Sequence, residues 1–162
     1  MTVRLSKILC IIAVSFYCLL AAFGNATDYF ANFSAVEQAL MMKDIFPNST
    51  IAYRAITNTS LHHVAYILII CLEGLTALLC AIGAWKLFRA RSQSASIFNH
   101  SKHWAVAGLT LGFLTWQVMF MSVGGEWFGL WMSLMLKGVV TAAFQIFITI
   151  LVVLIYVVIK DE

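Results

Sequence analysis

The stretch SVGGEWFGLWMSLMLK, residues 122–137, lies between two long apolar runs, and its reading decides how the chain turns back on itself. Gly124 and Gly125 punctuate the end of the first run, Glu126 is a lone charge, and Trp127 and Trp131 stand four residues apart. On a helix that spacing puts both indoles on one face. The indole ring is apolar while its N–H still seeks a partner, so tryptophan concentrates where hydrocarbon meets water. The stretch therefore reads as a short interfacial helix or a tight re-entrant turn. Glu126, Trp127, Trp131 and Met132 make up an outer interfacial turn, serving either as an aromatic anchor at the boundary or as a docking surface.

Composition supports a membrane setting. Hydrophobic residues make up 62% of the chain, charged residues 10%, and mean hydropathy is +0.94. Soluble domains carry about 45–50% apolar and about 25% charged residues, so an ordinary soluble domain is excluded. The 162 residues hold one integral membrane domain, because four spans of about 20–25 residues each consume more than half of them. The expected fold is all-α: a four-helix transmembrane bundle with spans at about 5–26, 64–88, 104–123 and 132–159, and a long outer loop containing short helices.

The first run starts after Arg4 and Lys7, as a signal peptide would. Its length, and the loose small-residue site at Ala21-Ala22-Phe23-Gly24, favour a retained span. Residues 25–63 form the long hydrophilic connection. Residues 32–43 read as an amphipathic helix with Ser34 as its cap and Glu37 completing a capping box. Pro47 breaks the chain, and a second short helix is expected between Ser49 and Asn58. Asn25, Asn32, Asn48 and Asn58 each begin an N-x-S/T triplet: a glycan acceptor in a secreted eukaryotic protein, plain loop chemistry in a bacterium.

Cations gather near particular span ends. Lys86, Arg89, Arg91 and Lys102 flank the second connection, with Arg4 and Lys7 at one terminus and Lys160 at the other. In the long loop, Lys43 and Arg54 are offset by Asp28, Glu37 and Asp44. Both termini are therefore expected in the cytoplasm, with the long loop and the Glu126-Trp127 turn sharing the outer side. The net charge of +3 is a topology signal rather than a nucleic-acid patch.

Glu73 is the most informative polar residue, since a carboxylate in hydrocarbon costs about 2.5–3.5 kcal/mol or more. It lies nine residues beyond Val64, roughly 14 Å below the outer surface at about 1.5 Å per residue. Gln117 and Gln145 fall within about 5 Å of that depth. A buried polar cluster of Glu73, Gln117 and Gln145 is expected, with Lys137 reaching towards it from the mouth of the last span. Such a cluster serves as interhelical glue or as a proton or substrate site.

Other chemistry finds no residues. Cys10, Cys18, Cys71 and Cys80 all lie in apolar runs as free thiols, without CxxC or zinc spacing. His62 and His63 belong to the opposite membrane face from His100 and His103, which argues against a bis-His haem. No catalytic residue, cofactor site or metal site is expected.

The order of spans and the turn GGEWFGLWMS resemble an uncharacterised bacterial family described as predicted small integral membrane proteins of unknown function. The resemblance covers nearly the whole chain and implies a topology and a bacterial inner membrane; it carries over no catalytic residues. Trp127-x-Gly129-Leu130-Trp131 is also faintly similar to the claudins, which share four spans and a Gly-Leu-Trp signature. In claudins that signature precedes a cysteine pair in the first outer loop, whereas here it follows the third span without cysteines. The expected function is that of an accessory or structural subunit acting through protein–protein or protein–lipid contacts, its partners being membrane lipids and another membrane protein or a second copy. Small-solute or proton-coupled transport through Glu73 and claudin-like adhesion or barrier formation are the alternatives.

Overall fold

Four helices are long and apolar enough to cross a membrane in the computed structural model, which describes residues Met1–Glu162 and contains no strand. In chain order the elements are α1 (Thr2–Thr27), α2 (Tyr29–Leu40), a 3-10 turn (Ala52–Arg54), α3 (Thr59–Ala90), α4 (Ala95–His100) and α5 (His103–Leu114). A π-helical stretch (Thr115–Trp127), a second 3-10 turn (Leu130–Met132) and α6 (Lys137–Val158) follow. The third span is composite, running through α4, α5 and the π-helical stretch as Ala95–Trp127. Helix α1 packs along α3, α3 along α5, and α6 against α5 and the π-helical stretch. Helices α1 and α6 touch only sparsely, so a seam remains between the first and last spans.

Lipid supplies no hydrophobic drive between helices, so close packing has to hold the bundle. Small residues at the α3–α5 seam make that packing possible. A Cβ added to Gly83 would collide with the backbone of Ala105, and one added to Gly108 would lie 2.7 Å from the Cys80 amide nitrogen. Gly112, one turn beyond Gly108, faces Thr76. The hydroxyls of Thr76 and Thr115 donate back to Leu72 and Leu111, each at 2.8 Å, so neither is left unsatisfied in the core. Outside, Phe144, Ile148, Val152 and Ile155 make an exposed apolar stripe down α6, the surface that hydrocarbon covers.

Several boundaries differ from the sequence expectation. Helix α1 continues to Thr27 and α2 begins two residues later, across Asp28. Ser34 caps nothing; its hydroxyl donates to the Ala31 carbonyl at 2.7 Å. The reason is tertiary: Tyr29 and Phe33 stack on His63 and so draw the start of α2 forward onto α3. Only one 3-10 turn forms between Ser49 and Asn58. Helix α3 starts before Val64 because the Asn58 side chain accepts from the Ser60 amide at 2.9 Å.

The quoted stretch differs most. Gly124 and Gly125 lie inside the π-helical segment instead of ending it, and the Phe128 amide still donates to Val123, five residues back, at 3.0 Å. The chain reverses at Gly129, whose φ of 68° is the left-handed region that glycine tolerates. Trp127 and Trp131 therefore flank a reversal and share no helical face, because the left-handed residue interrupts the helix between them. Helix α6 begins at Lys137, later than expected, after a turn in which the Leu136 amide donates to Ser133 Oγ at 2.9 Å.

Candidate functional site

Glu73 sits midway along α3 and is 3% exposed. Asn25, in the last turn of α1, donates from Nδ2 to Glu73 Oε2 at 2.8 Å. Asn25 is held in turn by Tyr66, whose hydroxyl donates to the Asn25 carbonyl at 3.0 Å. Tyr66 leans on Tyr29, with ring centres 4.8 Å apart, and the Tyr29 hydroxyl bonds His63 Nδ1 at 2.8 Å. Two hydrogen-bonded groups, Tyr66–Asn25–Glu73 and Tyr29–His63, thus meet through the packed Tyr29 and Tyr66 rings where α1, α2 and α3 converge.

The other carboxylate oxygen, Oε1, accepts no hydrogen bond from the protein and is not sealed from its surroundings. Glu73 lines a groove of about 450 Å³ together with Tyr17, Asn25, Asp28, Asn32 and Trp116. Two further cavities adjoin it. One, of about 250 Å³, lies beneath α2 and shares Asn25, Asn32, Phe120 and Val139 with the groove. The second, of about 340 Å³, follows the seam between α1 and α6 and shares Tyr17 and Ile146.

The expected cluster is not assembled as the sequence suggested. Glu73 bonds Asn25, not Gln117 or Gln145. Gln117 is half-buried, and only its main-chain carbonyl takes a side-chain hydrogen bond, from Ser122. Gln145 is exposed and lines the lower seam with Cys10 and Tyr17. Lys137 is exposed at the start of α6 and forms no ion pair. The physical reason is packing order: α3 lies chiefly against α1, so its buried polar group is answered from α1. Asn25 was legible only as part of an N-x-S/T triplet, yet it continues the spacing of the buried residues Ile11, Val14 and Cys18 on α1.

At the loop end the π-helical stretch, the turns and α2 form a cap. The Arg54 guanidinium lies 4.6 Å from the Trp127 ring centre and donates to the Trp127 carbonyl at 3.2 Å. Phe46 meets Trp131 edge to face, with centres 5.7 Å apart. Asp44 accepts from the Ser133 hydroxyl at 2.8 Å and the Met135 amide at 3.2 Å, and these bonds hold its carboxyl below the usual range. Phe128 is buried against Leu40 and Met42. Tyr53, Trp127 and Trp131 remain at least half exposed, and Glu126 is exposed beside them. Met132 is buried, so it belongs to the interior of the cap and not to its outer face.

At the terminal end Asp161 lies between Lys7 and Lys102, at 2.8 and 2.7 Å, with all three side chains buried. Asn99 brackets Asp161 through two hydrogen bonds, and both lysines also donate to the Ile159 carbonyl. Burial pushes the Asp161 carboxyl up, but the neighbouring Lys102 and Lys7 ammoniums outweigh it and hold the group below the usual range. Arg4 donates to the carbonyls of Arg91, Gln93 and Glu162. Sequence reasoning treated these cations only as a topology signal and missed Asp161, whose pairing depends on residues far apart in the chain.

No three His, Cys, Asp or Glu side chains gather as a metal-binding group. A family model described as predicted small integral membrane protein (DUF2165) matches residues 3–160. No curated protein and no solved structure matches the chain.

Proposed function

The chain belongs to the family of predicted small integral membrane proteins (DUF2165), and from this premise we propose that it is an accessory or structural subunit acting through contacts with another membrane protein and with lipid. The cap carries this reading. Tyr53, Trp127 and Trp131 are exposed, yet the backbone beneath them is pinned by the Arg54–Trp127 and Ser133–Asp44 bonds. A rigid aromatic surface binds with little loss of conformational freedom, which is why tyrosine and tryptophan dominate the energetics of protein interfaces.

The cations of the terminal end, including Arg4, Lys7, Arg89 and Arg91, support an orientation with both termini in the cytoplasm. The resemblance in the turn motif supports a bacterial inner membrane. The test is purification in mild detergent from the native membrane, with complexes resolved on a native gel and co-purifying chains identified. A discrete complex that Trp131→Ser dissociates, while that variant remains folded, is the expected result. Recovery only as a lone monomer, combined with solute flux in liposomes, would reverse the reading in favour of transport through Glu73.

A further inference from the structure

We propose that the seam between α1 and α6 is a binding groove for a membrane lipid with a primary-amine head, the ammonium seated at Glu73 and Asp28 and an acyl chain running down the seam. The proposal goes beyond the accessory role and does not depend on the cap.

The head end is built for a cation that donates hydrogen bonds. Glu73, Asp28, Asn25 and Asn32 bring side-chain acceptors to the groove, and no Lys, Arg or His lines it. Glu73 as a whole residue is 3% exposed, and a carboxylate so placed needs a counter-charge or several donors. Glu73 has one donor, Asn25, on one oxygen, while its other oxygen borders the groove. Lys137, the cation expected to reach towards Glu73, is exposed, does not line the groove and makes no ion pair. Tyr17 and Trp116, with ring centres 6.1 Å apart, form an aromatic wall beside the carboxylate, a surface that also attracts an ammonium. An anionic headgroup would meet two carboxylates instead. A quaternary ammonium would supply charge but no N–H for the charge-assisted bond to Oε1.

The tail end is continuous with the head end through Tyr17 and Ile146, and seven of the nine residues lining it are hydrophobic. From Asn25 to Cys10 the groove follows α1 for about 22 Å at about 1.5 Å per residue. That exceeds one leaflet of a hydrocarbon core about 30 Å thick, so a full acyl chain lies alongside it. The sparse contact between α1 and α6 leaves the seam open to lipid entering from the side.

The test is native mass spectrometry of the full chain released from detergent micelles, titrated separately with phosphatidylethanolamine, phosphatidylcholine and phosphatidylglycerol of identical acyl chains. Retention of phosphatidylethanolamine over the other two is expected. Glu73→Gln keeps an acceptor for Asn25 and should lower that retention about tenfold, the effect of losing one hydrogen bond to a charged group. Ala13→Trp, which places a bulky ring in the tail end of the seam and outside the head groove, should lower retention of all three lipids. Free ethanolamine, tested by thermal shift, should not stabilise the protein, because the seam contributes only to a tailed ligand. Equal retention of the three lipids, unchanged selectivity in Glu73→Gln, stabilisation by free ethanolamine alone, or a lipid-free dimer closing the seam would each overturn the proposal. Loss of a partner complex in Trp131→Ser is read separately, so failure of the accessory role leaves this result standing.

Discussion

Asn25 and Glu73 form the pair on which the interior polarity of the bundle turns. Removing Asn25 leaves a buried carboxylate without its only protein donor, so Asn25→Leu should destabilise the protein by about 1–3 kcal/mol. Glu73→Gln should be close to neutral for folding, Glu73→Leu should lose on the order of 1 kcal/mol, and the double variant Asn25→Leu/Glu73→Leu should recover much of the loss. Thermal unfolding in a fixed detergent ranks the four variants; an Asn25→Leu protein as stable as the parent would mean that the 2.8 Å bond contributes nothing. Asp161 yields a pH prediction. Its folded carboxyl is held below the ordinary range, so the unfolded chain binds the proton first and stability rises with pH through that interval. The contribution is complete above the ordinary carboxylate pKa and is lost as pH falls through the depressed one. Asp161→Asn should therefore flatten the acid limb of a plot of unfolding midpoint against pH, and an unchanged limb would exclude the Lys7–Asp161–Lys102 contact as its source. At this scale the burial of Glu73 was legible from the energetic penalty of a charge in hydrocarbon. Its partner was not, because counting residues from the span ends gave Gln117 and Gln145 the depth of Glu73, whereas the bond to Asn25 sets Glu73 beside the last turn of α1 and facing depends on helix rotation.

Helix ends show where local rules yielded to packing. Ser34 and Glu37 have the spacing of a capping box, yet α2 starts earlier because Tyr29 and Phe33 bury against α3. The Gly124-Gly125 pair reads as punctuation, but Gly124 is needed for close approach, since a Cβ there would lie 2.9 Å from Leu130. A period of 3.6 residues also gives no warning of i to i+5 bonding, and a π-helical run of 13 residues is far longer than the usual single-turn bulge. The α3–α5 seam offers a direct check. Gly83→Val should destabilise the bundle by about 1–3 kcal/mol through overpacking. Gly138, in the first turn of α6 with nothing within 4 Å of an added Cβ, should accept Ala with no loss. Equal midpoints for the two variants would rule out close packing at Gly83.

Across the whole molecule, four spans were legible because long apolar runs can satisfy their backbone in hydrocarbon only as helices. The tie between the termini and the fit of the cap were not, because both join residues from distant parts of the chain through side-chain geometry that no local period encodes. Orientation can be checked with an impermeant maleimide on a chain lacking its four native cysteines. Ser49→Cys should label in intact cells and Ser94→Cys only after lysis; the reverse pattern would invert the topology. The accessory role is tested most directly by in-cell photocrosslinking, with a photoreactive residue placed at Trp131 in the cap or at Val152 on the exposed stripe of α6. The cap position should yield a discrete protein adduct and the stripe position chiefly lipid. Lipid adducts alone from both positions would contradict a role exercised through a protein partner at the cap.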